Sequence, residues 1–378
     1  MLAGRRLRRN LLNKVRLMPE QILITGGAGF VGSAVAFELK RRFPRADVVA
    51  FDNLRRRGSE LNVPRLAKEG IRFVHGDVRQ ATDMDGLSPD LLVECSAEPS
   101  AQAGYSGPPN YVVETNLFGC YNCLNLARRT KADFLFLSTS RVYPTAALNS
   151  LVFREIDTRF EWVDEQPLPG AGRLGISETF STGGARSIYG MTKLAAELMI
   201  EEFADAYGFR YVINRCGVIA GQWQMGKIDQ GVVCLWLASH YFGRPLRYIG
   251  FGGEGKQVRD ILHVDDLAAL VTLQAGNMNT FHGQTLNVGG GLPFSLSLRE
   301  MTSLCEEITG KSIEIRSEHS DRPADLRLYV SDTRRIEQIH HWAPERGPEI
   351  VLRDIHRWIQ SNEAQVFGCL FEPSAASL

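Results

Sequence analysis

A short apolar run opens straight into glycines and then into an amphipathic stretch, and this junction limits the chain to few folds. Residues 21–25 (Gln-Ile-Leu-Ile-Thr) suit a buried parallel strand. Gly26, Gly27, Gly29 and Gly32 follow at once, and residues 30–42 read as a helix with Phe30, Val31, Val35, Phe37 and Leu39 on its inner side. Strand, glycine turn and helix in that order are the context of a dinucleotide-binding unit. Gly26 permits a tight turn, Gly29 lets the backbone approach a pyrophosphate, and Gly32 lets the helix pack closely. The helix N-terminus adds free N–H groups and partial positive charge for the phosphates. The spacing is Gly-x-x-Gly-x-x-Gly, and a glycine cluster by itself also serves as a plain structural turn.

The next segment separates these readings. Residues 47–51 predict a second strand, and Asp52 ends it 20 residues past Gly32. An acidic side chain there hydrogen-bonds the ribose of NAD and repels the 2′-phosphate of NADP. Arg55, Arg56 and Arg57 point mildly the other way and read mostly as a solvated loop. A third strand ends at His75-Gly76-Asp77-Val78, which puts Asp77 near the adenine. Strands and helices alternate to about residue 215, so the fold class is α/β, a doubly wound parallel sheet.

Roughly 160 residues past the glycines stands Tyr189-Gly-Met-Thr-Lys193, within a helix expected over 187–206. Residues four apart share a helix face, so both side chains enter one cleft. A free tyrosine ionises near pH 10, and a nearby ammonium stabilises the phenolate. Lowering that value by about three units takes about 4 kcal/mol. Tyr-x-x-x-Lys also arises by chance in many helices. A third element supports the pair: a buried strand over 133–138 delivers Thr139-Ser140-Arg141-Val142-Tyr143 to its carboxyl end, where α/β sheets bind ligands.

Composition sets outer bounds. The chain has 378 residues, formal net charge zero and a pI near 7.1, so no global field recruits nucleic acid or an anionic membrane. No apolar run reaches the length of a membrane span. Seven scattered cysteines, odd in number, point to a reduced, cytoplasmic setting. Cys120 and Cys123 fall in a helical stretch and read as packing thiols. The histidines show no metal-ligand spacing, so no metal is expected. Residues 1–18 form a basic extension, with Arg5, Arg6, Arg8, Arg9, Lys14 and Arg16 among leucines. The cofactor domain is expected over 19–215, with an excursion over the pocket at 144–186. A smaller α/β substrate lobe, interleaved with that domain, is expected over 216–378.

Taken in order, the glycine turn, Asp52, Asp77, Asn116, Ser138 to Tyr143, Tyr189 with Lys193, and Arg259-Asp260-Ile261-Leu262-His263-Val264-Asp265-Asp266 resemble the extended short-chain dehydrogenase/reductases over residues 20–360. That family has a Rossmann fold and acts mainly on nucleotide sugars. The resemblance implies NAD, held by Gly26, Gly29, Phe30, Val31, Asp52, Asn53, Asp77, Val78, Ser96, Ala97, Asn116, Tyr189 and Lys193. It implies catalysis by Tyr189, Lys193 and Thr139, and substrate contacts from Thr139, Ser140, Arg141, Gln230, Arg259 and Arg322. It further implies a homodimer or homotetramer paired through the helices holding Asn116 and Tyr189.

Asp229-Gln230-Gly231, Gly255 to Asp260, Glu178 before Ser187-Ile188-Tyr189-Gly190, and the insertion after Tyr143 with Thr158-Arg159-Phe160 are similar to one branch, the CDP-tyvelose (CDP-paratose) 2-epimerases. This implies an isomerase that oxidises C2 of a CDP-3,6-dideoxyhexose to a bound ketone and returns the hydride to the other face. Another nucleotide-sugar 4-epimerase, dehydratase or reductase is the alternative, as is a non-catalytic NAD(H)-binding sensor. Glu94-Cys95-Ser96-Ala97-Glu98, Pro144 and Arg215 to Gly221 depart from the family pattern, all around the sugar pocket. They leave the substrate open.

Overall fold

Alternation within the first apolar run sets the layers. In the computed structural model, which describes residues 19–105, 107–225 and 231–372, Gln21–Thr25 forms strand β1. Ile22 and Ile24 face one side and Leu23 the other, and all three are buried. A strand buried on both faces belongs in the middle of a parallel sheet. It pairs with β2 (Asp47–Asp52) on one edge and β4 (Leu91–Glu94) on the other. With β3 (Arg72–His75), β5 (Asp133–Thr139), β6 (Tyr211–Cys216) and β7 (Gln284–Val288), the sheet runs 3-2-1-4-5-6-7, all parallel. The order reverses between β1 and β4, and ligands of such sheets bind outside the carboxyl ends at that point.

Helices α1 (Phe30–Arg42) and α5 (Val264–Gly276) cover one face with Val35, Leu39, Leu267, Leu270 and Val271. Helices α2 (Gly119–Thr130) and α3 (Ile188–Tyr207) cover the other with Cys120, Cys123, Leu124 and Ile200. Both thiols of the Cys-x-x-Cys stretch are buried and free. Although α5 and β7 come from beyond residue 215, they complete this sheet. The second lobe holds α4 (Val232–Phe242), α6 (Leu298–Thr309) and α7 (Pro348–Ser361), packed on Ile261 and Leu296 of a small sheet.

Asp260 joins the two. Fully buried, it accepts from the backbone N–H of Gly291 and Ser331, each at 3.2 Å. The Arg259–Asp266 stretch therefore has a structural half, while Arg259 faces the cavity described below. Residues 144–186 pack Leu148, Leu151, Trp162, Ile176 and Phe180 against Leu326, Leu328, Tyr329 and Val330. None of them lines either cavity of the site, so the expected excursion over the pocket is instead a buttress for the segment after Asp325. Apolar burial on that segment holds them aside. Among the described residues, no helix is long and apolar enough to cross a membrane, and no three His, Cys, Asp or Glu cluster to hold a metal ion. Residues 1–18 lie outside the described residues.

Candidate functional site

The glycines form a cradle that side chains would fill. Gly26 has φ +64, and a Cβ there would lie 2.9 Å from the backbone of Ser96. A Cβ on Gly32 would come within 2.0 Å of the Gly26 carbonyl oxygen, so α1 sits against the turn itself. Gly27, given no role in the sequence reading, is equally constrained: its Cβ would stand 2.6 Å from Cα of Ala50 in β2. The first turn of α1 carries no acidic residue, which leaves its N-terminus open to an anion.

Above this turn lies a cleft of about 380 Å³, lined by Gly26, Gly29, Phe30, Val31, Asp52, Asn53, Val78, Ser96 and Ala97 among others. Asp52 accepts from the backbone N–H of Ala28 (3.1 Å) and Leu54 (2.8 Å). Burial lifts its pKa, and those donors hold it back. A cradle closed to Cβ atoms, a bare helix N-terminus and a carboxylate at the end of β2 fit a dinucleotide. Asp77 and Asn116 do not line the cleft. Asp77 pairs with Arg79 (2.7 Å) and accepts from Asn53 Nδ2 (2.9 Å); burial works against it, but Arg79 and Asn53 bring it down to about 2. Asn116 sits in a π turn, Glu114–Phe118, and clamps the backbone of Glu98 from both sides, accepting from its N–H (2.8 Å) and donating to its carbonyl (3.1 Å). It shapes the wall from behind.

The arginines after Asn53 line this cleft and are not a merely solvated loop. Arg55 stacks over Tyr111 at 3.9 Å, Arg56 donates to the Met225 carbonyl (2.6 Å), and Arg57 donates to that of Glu372 (2.6 Å). The segment with Trp223, Gln224 and Met225, which the sequence reading did not place at the coenzyme, thus closes one side.

A second cavity of about 350 Å³ shares Phe30, Val31, Pro99, Gln224 and Gly231 with the first. Thr139, Ser140, Arg141, Tyr189, Arg259 and Arg322 line it. Gln230 lies outside the described residues. Arg259 and Arg322 both reach Asp325, at 3.2 and 3.0 Å, and Arg141 donates to the Ala324 carbonyl (2.9 Å). Arg259 therefore takes its partner 66 residues along the chain and not from Asp260 or Asp265 beside it. Burial and the like charge of Arg141 pull Arg259 down to about 10, against the pull of Asp325. Three guanidinium groups beside one carboxylate leave surplus positive charge, which suits a diphosphate.

Tyr189 sits in the wall of this cavity and Lys193 does not. The lysine is buried behind the wall, its Nζ 3.7 Å from Glu94 Oε2 and 4.3 Å from the Phe136 ring centre. Burial raises Tyr189 above its ordinary pKa; Lys193, a hydrogen bond with Thr139, and Arg141 oppose it. Burial lowers Lys193, but Glu94 and then Tyr189 outweigh it and leave it raised. Glu94 and Asp325 are the charged residues that sequence reasoning passed over. Their signals were slight: Glu94 stood out only as a departure from a pattern, and Asp325 only as a residue three past Arg322.

The model of the family described as NAD dependent epimerase/dehydratase matches residues 22–289. A CDP-paratose 2-epimerase of Salmonella typhi is 29% identical over 356 residues, covering 90% of this chain and 99% of that protein. A dTDP-glucose 4,6-dehydratase of Escherichia coli K12 is 26% identical, covering 90% and 93%. Among solved structures, the Thermus thermophilus UDP-glucose 4-epimerase in complex with NAD superposes with a TM-score of 0.72 at 26% identity, covering 90% and 99%. The expected fold, an epimerase-type enzyme and NAD as coenzyme all agree with these findings. With a match over most of its length and the cradle in place, the chain belongs to the NAD dependent epimerase/dehydratase family.

Proposed function

We propose that this protein inverts C2 of a CDP-linked 3,6-dideoxyhexose, converting CDP-paratose to CDP-tyvelose. The carrying observation is similarity to a 2-epimerase over 90% of this chain, together with a cavity lined by Tyr189 and three arginines. NAD bound in the cleft supplies a reversible hydride acceptor. Tyr189 takes the proton of the sugar hydroxyl and gives it back after the ketone has turned its other face. Lys193 supplies positive charge beside that phenol, and Thr139 orients the reacting oxygen. Arg259, Arg322 and Arg141 hold the diphosphate while the sugar turns, with Gln230 and Ser140 as further contacts. In this reading Asp77 and Asn116 support the coenzyme site through Asn53 and Glu98. Residues 19–215 mainly serve the coenzyme, and 216–378 mainly the substrate.

Substrate carrying deuterium at C2 is expected to give product with the label still at C2. Solvent hydrogen entering C2 would exclude direct hydride return. Similarity to 4,6-dehydratases favours one second reading, chemistry at C4 of another nucleotide sugar. Turnover of UDP- or dTDP-sugars with none of CDP-paratose would establish it. A sensor without activity fits poorly, because Tyr189 and Thr139 share one cavity wall beside Lys193.

The protein also acts as a dimer or tetramer in this proposal. Phe118, Tyr121, Leu198 and Tyr207 expose 45–58% of their surface on the π turn, α2 and α3. So much apolar area on two adjacent helices suits a second copy of the same face. Analytical ultracentrifugation is expected to find at least a dimer, and Leu198→Glu is expected to shift it towards monomer. A monomeric parent protein at micromolar concentration ends this assignment.

A further inference from the structure

Glu94 ends β4 beneath the coenzyme cleft and is 1% exposed. Its Oε1 accepts from the Ser96 hydroxyl. Its Oε2 is buried without a hydrogen-bond partner, and the cation it faces is Lys193, at 3.7 Å. Burial raises the pKa of Glu94, and the charge of Lys193 and then the Ser96 hydroxyl work against that, so the carboxylate is ionised only as the partner of that ammonium. The other titratable groups facing this cluster are Cys120 and Cys95 around Lys193, Cys123 near Glu94, and Cys216 and Arg141 near Tyr189. The cysteines are uncharged thiols held well above their ordinary range by burial.

Tyrosine and lysine ionise at nearly the same pH in water, near 10 and 10.4. Burial penalises a phenolate and an ammonium alike. A buried Tyr–Lys pair that must shed one proton can therefore lose it from nitrogen as readily as from oxygen. Loss from nitrogen leaves a neutral phenol and a neutral amine, which is useless as a base towards a sugar hydroxyl. A carboxylate against the nitrogen breaks the tie. It stabilises the ammonium at contact distance and disfavours the more distant phenolate less.

We propose that Glu94 is a positioning residue for the reaction: it holds Lys193 as the ammonium and thereby makes Tyr189 the group that gives up its proton. This rests on Tyr189 acting as the base, the reading given above. No bond is made or broken by Glu94, and the proton leaving Tyr189 does not pass to it. The same carboxylate fixes where the lysine sits, together with the Phe136 ring, whose centre is 4.3 Å from Nζ.

The test uses the NAD-loaded enzyme, its Glu94→Gln and Glu94→Asp variants, and two titrations that need no sugar. One follows Lys193 by nitrogen NMR in lysine-labelled protein. The other follows tyrosinate by ultraviolet difference absorbance, with Tyr189→Phe as blank. In Glu94→Gln, Lys193 is expected to lose its proton at least about one pH unit lower, the usual size of a close charge partner's effect. The Tyr189 tyrosinate signal is expected to weaken, and kcat to fall about tenfold or more, in step with the ionised fraction. Glu94→Asp keeps the charge at shorter reach and should fall between. If Glu94→Gln does not fold, the Asp variant alone carries the test, with a smaller downward shift expected. Unmoved titrations in the variants that fold overturn the proposal, even if kcat drops, because that drop would be structural. Failure of the C2 reading would leave both titrations as described, so the two ideas fail separately.

Discussion

Tyr189→Phe is expected to lower kcat by about three orders of magnitude while leaving NAD bound. In the proposed reaction the phenol oxygen of Tyr189, in the wall of the second cavity, moves the proton, and general acid–base groups contribute about 10²–10⁴ in rate. The ring itself stays, so packing against its neighbours changes little. Tyr189 does not line the coenzyme cleft, and coenzyme content should hold. The check is single-turnover kinetics beside chromatographic assay of NAD released on denaturation. Turnover within tenfold of the parent would remove Tyr189 from the chemistry. A variant stripped of NAD would instead make it a coenzyme ligand.

Gly32→Ala is expected to empty the coenzyme cleft and loosen the fold together. The new methyl would lie 2.0 Å from the Gly26 carbonyl oxygen, 2.7 Å from its carbon and 2.9 Å from Cα of Gly27. All three are backbone atoms, so no side chain can swing aside. The turn must move, and with it the N–H groups at the start of α1. Overpacking of this kind costs about 1–3 kcal/mol, and NAD content should fall at least about tenfold because the cradle itself is displaced. Thermal melting with and without added NAD reads both effects. Gly172→Ala is the control, since nothing lies within 4 Å of its Cβ position. Equal melting and equal NAD in the Gly32 and Gly172 variants would mean that the close approach at Gly32 is not needed.

Periodicity carried the first half of the fold. The runs at 21–25 and 30–42 became β1 and α1 with those bounds, and the second strand gained only Asp52. The helix around Tyr189 shifted by one residue, to Ile188–Tyr207, where Ser187 caps it by accepting from the Gly190 N–H. These segments are local: their burial pattern and their caps lie in neighbouring residues. Beyond residue 215 the reading loosened because the chain there serves two layers. Val264–Val288 returns to the first sheet, and no nearby residue announces that return.

From its residues alone this chain was committed to a dinucleotide cradle, a parallel α/β sheet and a tyrosine–lysine pair on one helix face, because each depends on spacing within a few turns of backbone. Only the folded chain decided who faces whom. Lys193 meets Glu94 across 99 positions, Arg259 and Arg322 meet at Asp325, and Asp77 turns to Arg79 while Asn116 grips Glu98. Charges choose partners by distance in space, and a low-dielectric interior magnifies whichever choice is made. No local pattern encodes that choice.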